Sequence, residues 1–368
     1  MTTGAVDPRT GGGDDIMSGR DARLTRHRLV GAELARLGDA DLTARLAASG
    51  NAVTSIGGTS CALDVGGIRV FVKRIPLTDL ELRPEHVRST ANLFDVPPHC
   101  QYGVGSPGFG AWRELQASLM STAAVVAGGT AVFPLLHHWR VLPGPPPARP
   151  VDVDAETAFW GGASGVRRRL KALAAASGTL VLCLEHVPHQ LDAWLAGPVA
   201  AGGDELLAAC RMLEHGLLGA VAGLRAAGLH HFDAHLGNLL TDGTDVYLGD
   251  LGLAVSDRFE LSEAEREFLE RNETHDAAYA RMRLVNWLVQ RVAGVPVPDE
   301  GGPVQRNAYV RRCAEGAAPA GVPAEVADMI SRYAPVAAEM NDFYWQLFAG
   351  ATATPYPADR IGDLLAAE

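Results

Sequence analysis

Apolar and polar residues alternate with different periods along the chain, and each period predicts a different element. Residues 68–74, Ile-Arg-Val-Phe-Val-Lys-Arg, alternate in a way that is typical of a β-strand. Residues 179–187 form a short apolar run that predicts a buried strand. In residues 204–227 apolar side chains recur at helical spacing, and Gly228 is placed to end that helix. Two short apolar runs around a polar glycine turn in residues 239–248 predict a hairpin.

The residues on either side of this hairpin carry the most informative motif. Residues 231–238 read His-Phe-Asp-Ala-His-Leu-Gly-Asn, and Asp250-Leu-Gly follows twelve residues after Asn238. The hairpin would set Asn238 and Asp250 side by side at one end. The Asp233 carboxylate suits the acceptance of a proton from a hydroxyl, and the other two side chains suit binding of Mg²⁺ over the phosphates of ATP. The pattern resembles the catalytic and metal-binding loops of the protein-kinase-like superfamily, which includes eukaryotic-type protein kinases and aminoglycoside phosphotransferases.

The resemblance implies a fold and a division of the chain. It implies an α+β, bilobal fold with a small β-rich lobe that carries insertions and a larger, mostly helical lobe. We therefore expect a flexible tail at residues 1–25, an ATP-binding lobe at 26–187 and a helical lobe with the catalytic and metal loops at 188–368. Residues 76–110 and 143–178 would be insertions in the first lobe. ATP and Mg²⁺ are the implied cofactors.

The resemblance also assigns residues to the nucleotide. Lys73, near the end of the first predicted strand, corresponds to the lysine that contacts the α- and β-phosphates. A glycine-containing segment before it looks like the phosphate loop of the aminoglycoside and choline kinase branch, since glycine lets backbone N–H groups approach phosphates closely. Its residues are Gly57, Gly58, Thr59 and Ser60. Glu185 and Val187, at the end of the second predicted strand, correspond to the hinge that binds adenine.

Lys73 requires a glutamate partner on the helix that follows its strand. Trp112-Arg-Glu114-Leu115 begins an apolar run at helical spacing, so Glu114 is the predicted partner. Residues 83–94 also predict a helix, with a proline at its start, and Glu85 is the alternative partner.

Two departures from the protein-kinase pattern bear on regulation and on the acceptor. Phe232 stands before Asp233, where many protein kinases carry the arginine that pairs with a phosphorylated activation loop, so we expect activity without such phosphorylation. No Ala-Pro-Glu follows Asp250, although that motif anchors the peptide-docking platform of protein kinases.

The motifs give conflicting indications about which class of molecule carries the acceptor hydroxyl. The loop Asp233-Ala-His-Leu-Gly-Asn resembles that of small-molecule kinases, whereas Asp250-Leu-Gly-Leu-Ala resembles the metal loop of protein kinases. The metal loop and the large insertions favour Ser or Thr of a protein or peptide as the acceptor. A small-molecule kinase of the aminoglycoside or choline type is the alternative.

Two functions from other classes also fit parts of the motif. His231, Asp233 and His235 would share one face of an extended segment and suit zinc or iron, as in a metallophosphatase, but no second ligand cluster accompanies them. A kinase fold that serves only as a binding module would be expected to lack one of the four key groups. Lys73, Asp233, Asn238 and Asp250 are all present.

Composition narrows the partners and the location. The formal net charge of −11 argues against nonspecific nucleic-acid binding. The five cysteines are scattered without a Cys-x-x-Cys pair, which indicates neither a zinc site nor a disulfide framework. The chain shows no signal-peptide pattern and no long uninterrupted apolar run, so we expect no membrane partner and a cytoplasmic location.

Overall fold

A computed structural model describes residues 19–50, 53–55, 58–147 and 149–368. The fold is α+β, as expected, with an antiparallel sheet in the first half of the chain and mostly helices in the second. The described helices are α1 (Gly19–Arg36), α2 (Asp39–Ala48), α3 (Ala111–Ala127), α4 (Val153–Phe159), α5 (Ser164–Ala174), α6 (Leu191–Ala201), α7 (Gly203–Ala227), α8 (Glu263–Arg271), α9 (His275–Trp287), α10 (Val304–Ala314), α11 (Ala324–Phe348) and α12 (Ala358–Ala366). The described strands are β1 (Val53–Ser55), β2 (Gly58–Val65), β3 (Ile68–Leu77), β4 (Leu136–Pro143), β5 (Gly178–Glu185), β6 (His189–Gln190), β7 (Leu239–Thr241) and β8 (Val246–Leu248).

The large sheet has the strand order β1-β2-β3-β5-β4, and every pairing is antiparallel. The two strands predicted from residues 68–74 and 179–187 are β3 and β5, which pair at the centre of the sheet. The tight β2–β3 turn uses Gly66 and Gly67, whose φ angles of 59° and 79° favour glycine. Because β3 is hydrogen-bonded to β2 on one side and to β5 on the other, the backbone positions of its residues are well fixed.

Each face of this sheet is covered by helices. On one face Val30 and Leu34 of α1 and Leu42 of α2 pack against Val70 and Val72 of β3. Helix α3 covers the opposite face, where its apolar side chains pack against β3, β4 and β5. The buried residues of this cluster include Ile75, Trp112, Leu115, Leu136, Leu180 and Leu182. Because both faces are covered, β3 is buried along most of its length.

The largest core lies in the helical half and surrounds α7, α9 and α11. The predicted helix over residues 204–227 is α7, and Gly228 ends it in the left-handed conformation with φ 67°. Within the described residues, α7 is also the one helix long and apolar enough to cross a membrane. Its contacts with α6, α9 and β8 give it the environment of a core helix. The predicted hairpin is β7–β8.

The expected tail at residues 1–25 is wrong over residues 19–25, which belong to α1. The helix is anchored by tertiary contacts rather than by a strong amphipathic pattern. Val30 and Leu34 are its fully buried residues, and Arg23 binds the Glu185 carboxylate with Nη2–Oε2 at 2.6 Å. Residues 1–18 lie outside the described residues.

The helix expected over residues 83–94 is also wrong. Only a single 3₁₀ turn, Pro84–His86, forms there. Arg88 and Asp95 adopt left-handed φ angles of 64° and 53°, which stop a helix, and the Asn92 side chain closes a turn by hydrogen bonds with the backbone of Val96.

The two expected insertions pack against each other, and we call them together the cap: residues 78–110, 144–147 and 149–177. The buried guanidinium of Arg169 on α5 lies 3.0 Å from the Glu81 carboxylate. A second pair, Arg168–Asp95, lies at 2.9 Å on the surface. Gly165 of α5 meets the Asp95 carbonyl so closely that a Cβ atom would collide with it. The cap is therefore one packed unit.

We predict that Gly165→Ala lowers the free energy of unfolding by about 1–3 kcal/mol, because the added methyl group overpacks the junction within the cap. Gly219→Ala in α7 is the matched control, since no atom lies within 4 Å of its would-be Cβ. That control is expected to gain about 0.5–1 kcal/mol from helix propensity. Urea unfolding of both variants checks this, and equal stability would contradict the packing of the cap.

Candidate active site

Lys73 is the centre of the candidate site. It lies on β3, paired with Ser60 of β2 and Leu182 of β5, so the sheet fixes its backbone from both sides. Its Nζ lies 2.7 Å from Glu114 Oε1 and 2.7 Å from Asp250 Oδ1. The structure thus brings together three residues that are far apart in sequence. Glu114, not Glu85, contacts the lysine.

The charges of this cluster stabilise one another. Burial by itself would lower the pKa of Lys73, but the Asp250 and Glu114 carboxylates raise it above the usual lysine value. Desolvation opposes ionisation of Asp250, yet Lys73 lowers the pKa of Asp250 to about 2. Burial raises the pKa of Glu114 despite the nearby ammonium. An ammonium and the Asp250 carboxylate therefore face each other at neutral pH.

Asp250 is held in a strained conformation. Its φ of 50° lies in the left-handed region, which is unfavourable for a residue with a Cβ atom. Its Oδ1 also accepts the Gly252 N–H at 3.3 Å. The preceding Gly249 N–H donates to the Asn238 carbonyl at 2.9 Å, which ties the loop that contains Asp250 to the loop that contains Asn238.

Asp233 lies beside Asn238 in a mostly buried position. Asn238 Nδ2 donates to the Asp233 carbonyl at 2.9 Å and to its Oδ2 at 3.2 Å. The other carboxylate oxygen, Oδ1, is buried and has no hydrogen-bond partner among the described residues. Burial raises the pKa of Asp233 to about 6, although the neighbouring His231 ring opposes the rise. A carboxylate with a raised pKa and an uncommitted oxygen is suited to accept a proton.

The loop that carries Asp233 is anchored by a residue that the sequence analysis missed. Asp276, at the start of α9, accepts the backbone N–H of His231 at 2.7 Å and that of Phe232 at 2.9 Å. His231 also accepts the Asp233 N–H at its Nδ1 (3.2 Å) and donates from Nε2 to the Gly249 carbonyl (3.0 Å). In the sequence, the signal for this role is limited to an Asp at the start of a helical segment; its burial is evident only from the structure.

Phe232 occupies the position before Asp233 and is fully buried. Its ring stacks on His275 with centroids 4.8 Å apart and packs against Phe268 at 5.6 Å. Its φ of 63° turns the backbone sharply, so that its side chain points into the core. The residue before Asp233 is therefore fixed by aromatic packing.

A first cavity of about 380 Å³ lies between the large sheet and β7–β8. Six of the residues expected to bind nucleotide line it: Gly58, Thr59, Ser60, Lys73, Glu185 and Val187. Gly57 lies outside the described residues. Apolar side chains form much of the remaining wall, including Phe71, Phe133, Leu184, Leu240 and Leu248. A mostly apolar cavity at the end of β5 suits an aromatic ring system.

Two of these residues have structural contacts that limit how they meet a ligand. The Glu185 carboxylate binds Arg23 of α1, and its N–H donates to the Leu135 carbonyl at 2.8 Å, so neither group is available. The Thr59 hydroxyl donates to the Pro147 carbonyl at 2.5 Å. Gly58 has a φ of 131°, and a Cβ there would collide with the Arg74 carbonyl, so the position requires glycine.

A second cavity of about 740 Å³ adjoins the first and lies under the cap. Five residues line both cavities: Gly58, Lys73, Glu114, Asn238 and Asp250. Asp233 and His235 line the second. Burial lowers the pKa of His235 to about 4, with Arg283 acting in the same direction, so its ring is neutral at neutral pH. The charged cluster of Lys73, Glu114 and Asp250 therefore lies at the junction of the two cavities, whereas Asp233 lines the second cavity only.

The junction offers ligands of the type that Mg²⁺ prefers. Asn238 donates from Nδ2, and Asp250 uses Oδ1, which leaves one oxygen of each side chain without a protein donor among the described residues. Hard oxygen ligands from one or two side chains, completed by phosphate and water, are typical of Mg²⁺ sites. No group of three or more His, Cys, Asp and Glu residues suited to a metal occurs in the described part of the chain.

Comparison of the chain with models of known protein families gives no match, and comparison with curated proteins gives none either. The chemistry of the site therefore follows from its own geometry.

We predict that Asp276→Asn lowers the free energy of unfolding by about 1–3 kcal/mol, because an amide NH₂ group then opposes one of two buried backbone N–H groups. The exposed Asp257→Asn is the control and is expected to change stability by less than about 0.5 kcal/mol. Chemical denaturation measures both. A wild-type stability for Asp276→Asn would show that this carboxylate does not hold the loop.

Proposed function

We propose that this protein is an ATP-dependent phosphotransferase that moves the γ-phosphate of ATP to a hydroxyl group. One observation carries the proposal: Lys73, Glu114, Asn238 and Asp250 converge at the junction of two cavities, and Asp233, which is hydrogen-bonded to Asn238, lines the second of them. The arrangement favours a bilobal, protein-kinase-like fold, with the large sheet as the nucleotide side and the helical half as the catalytic side. Positioning and electrostatics supply most of the catalysis in such a reaction.

In this proposal the first cavity holds the adenosine part of ATP. The base packs between apolar side chains of the sheet and of β7–β8, and it meets the backbone after β5 at Val187, because the Glu185 N–H is already bonded to the Leu135 carbonyl. The triphosphate then extends toward the junction, where the Lys73 ammonium neutralises part of its charge. Glu114 orients that ammonium, and Gly58 allows the backbone to approach the phosphates.

Asn238 and Asp250 would hold Mg²⁺. When bound, the ion supplies positive charge that offsets the charge of the phosphate oxygens. The strained backbone of Asp250 and the hydrogen bond between Gly249 and Asn238 keep the two oxygen ligands in place before ATP arrives. Preorganisation of this kind lowers the cost of reaching the transition state.

Asp233 acts as the general base. The part of its carboxylate that is open to the second cavity accepts the proton of the acceptor hydroxyl, whose oxygen then forms a bond with the γ-phosphorus as the bond to the leaving ADP oxygen breaks. Asn238 orients the carboxylate through its Nδ2. Two classes of acceptor are compatible with this chemistry, a Ser or Thr of a protein or peptide and a small molecule.

A metallophosphatase site built on the same loop is disfavoured by His231. Both of its ring nitrogens are engaged, Nδ1 by the Asp233 N–H and Nε2 by the Gly249 carbonyl. A metal ligand requires a free lone pair on one ring nitrogen. His231 serves instead to join the base-bearing loop to the metal-bearing loop.

We predict that Asp233→Asn leaves Mg-ATP affinity nearly unchanged and lowers turnover by roughly 100-fold or more, because general-base help is lost. Titration with a fluorescent ATP analogue and an assay of ADP release measure the two quantities. The exposed Asp257→Asn should behave as wild type in both. Turnover within a few-fold of wild type would remove Asp233 from the mechanism.

We predict that kcat/KM rises with pH through about 6 and then levels, since Asp233 is protonated below its raised pKa of about 6 and acts as a base only above it. His235→Gln should retain this limb, because the His235 pKa of about 4 leaves that ring neutral across the transition. The pH dependence of initial rates for both proteins tests the assignment. A flat profile between about pH 5 and 7 would contradict it.

A further inference from the structure

The cap encloses the candidate base. Gly103 lies so close to the Asp233 carboxylate that a Cβ atom at that position would overlap both Oδ1 and Cγ. Its backbone is not in the left-handed region, so glycine is required here for space alone. The segment 103–110, which contains four glycines, continues along the wall of the second cavity. A hydroxyl therefore reaches Asp233 through this cavity, beneath the cap.

The cap is fixed to the rest of the protein at several points. Glu260 accepts the Ser89 hydroxyl at 2.5 Å and the Thr90 N–H at 2.8 Å, and Gln101 Nε2 donates to the Leu253 carbonyl in the metal loop. Within the cap, Trp160 Nε1 donates to the Gly105 carbonyl at 3.3 Å. An extended polypeptide that crossed Asp233 would have to displace these contacts. A molecule that fits inside the cavity would not.

The buried Glu81 carboxylate, which is paired with Arg169 inside the cap, also joins the cap to α3 and makes such displacement unfavourable. Both side chains are almost fully buried, and Glu81 also accepts the Ala111 N–H at the start of α3 at 2.7 Å. Desolvation opposes ionisation of Glu81, but Arg169 and its hydrogen bonds lower its pKa. Moving the cap away from α3 would break the contact between Glu81 and the Ala111 N–H, which would leave a buried backbone donor without its partner at the start of the helix that carries Glu114.

The second cavity is lined mostly by apolar residues and also by two arginines. Phe109, Val153 and Leu170 are among its apolar residues. Arg149 is an exposed residue that lines the cavity, and its guanidinium makes no ion pair or hydrogen bond with the described residues. Arg169 lines it as well, and its buried Nε has no hydrogen-bond partner there. Lys73, by contrast, contacts two carboxylates and is assigned to the triphosphate in the proposed function.

From this geometry we infer that the acceptor is a compact molecule with an apolar body that carries an acidic group in addition to its hydroxyl. The acidic group pairs with Arg149, the body fills the apolar part of the cavity, and the hydroxyl lies against Asp233. A volume of about 740 Å³ is in the range that holds one small molecule. The inference rests on the proposed phosphotransferase function and replaces a protein hydroxyl with a small acidic acceptor.

The test uses the full-length protein, ATP labelled in its γ-phosphate and an extract of the source cells divided into three probes. These are the proteins, the acidic small molecules retained by an anion-exchange resin, and the small molecules that pass through it. We expect label to enter the acidic pool. Label on proteins, or only in the unretained pool, would overturn the inference and leave the phosphotransferase proposal intact. Failure to transfer label or bind Mg-ATP would instead contradict the proposed function itself.

Arg149→Ala provides the residue-level test, with Arg167→Ala as its matched control. Arg167 is an exposed arginine of the cap, paired with Asp154 at 2.5 Å, and it does not line the cavity. We expect Arg149→Ala to raise the apparent KM for the acidic pool roughly 10-fold or more, as loss of a charge-assisted hydrogen bond does, with the KM for ATP unchanged. Arg167→Ala should leave both unchanged. A rise in the KM for ATP alone, or no change, would overturn the role given to Arg149.

Discussion

The contact between one ammonium and two carboxylates determines how the rest of this structure is arranged. Lys73 projects from the centre of the sheet, Glu114 from α3 and Asp250 from the loop after β8. The Lys73 Nζ atom lies 2.7 Å from an oxygen of each carboxylate. A mostly buried ammonium without these partners would be strongly unfavourable, and loss of one partner of a buried ion pair typically costs about 3–5 kcal/mol. The cluster therefore couples the sheet, the helix layer and the helical half of the chain.

The two loops of the candidate site depend on this coupling and on a second buried carboxylate. Asp276 satisfies two backbone N–H groups next to Asp233, and Phe232 turns the backbone between them. Asp250 is strained in the same way on the neighbouring loop. Strain at both loops is maintained because the surrounding helices and strands fix the chain on either side. The result is a well-fixed junction between two adjoining cavities, which the proposed function assigns to the nucleotide and to the acceptor.

The elements with strong periodicity were predictable from the sequence. The strands of residues 68–74 and 179–187, the helix that ends at Gly228 and the hairpin that follows all occur in the structure. Their signals are local, because side-chain period and turn residues are sufficient to specify them. The grouping of Lys73 with Glu114 and Asp250 was expected from resemblance rather than from any local signal.

The remaining features depend on long-range contacts that a single sequence does not reveal. Helix α1 looked like part of a polar tail, because the ion pair of Arg23 with Glu185 joins residues 162 positions apart. The segment around Arg88 and Asp95 has helical spacing, yet its left-handed residues are set by packing within the cap. Asp276 gave no sign of which backbone groups it would bind.

The most direct test of the account compares ATP labelled in the α-phosphate with ATP labelled in the γ-phosphate, each incubated with the protein and extract, with and without Mg²⁺. The arrangement of Lys73, Asn238, Asp250 and Asp233 predicts that only the γ-label is transferred, and only when Mg²⁺ is present. Transfer of the α-label, or Mg²⁺-independent transfer of the γ-label, would contradict the roles given to these four residues.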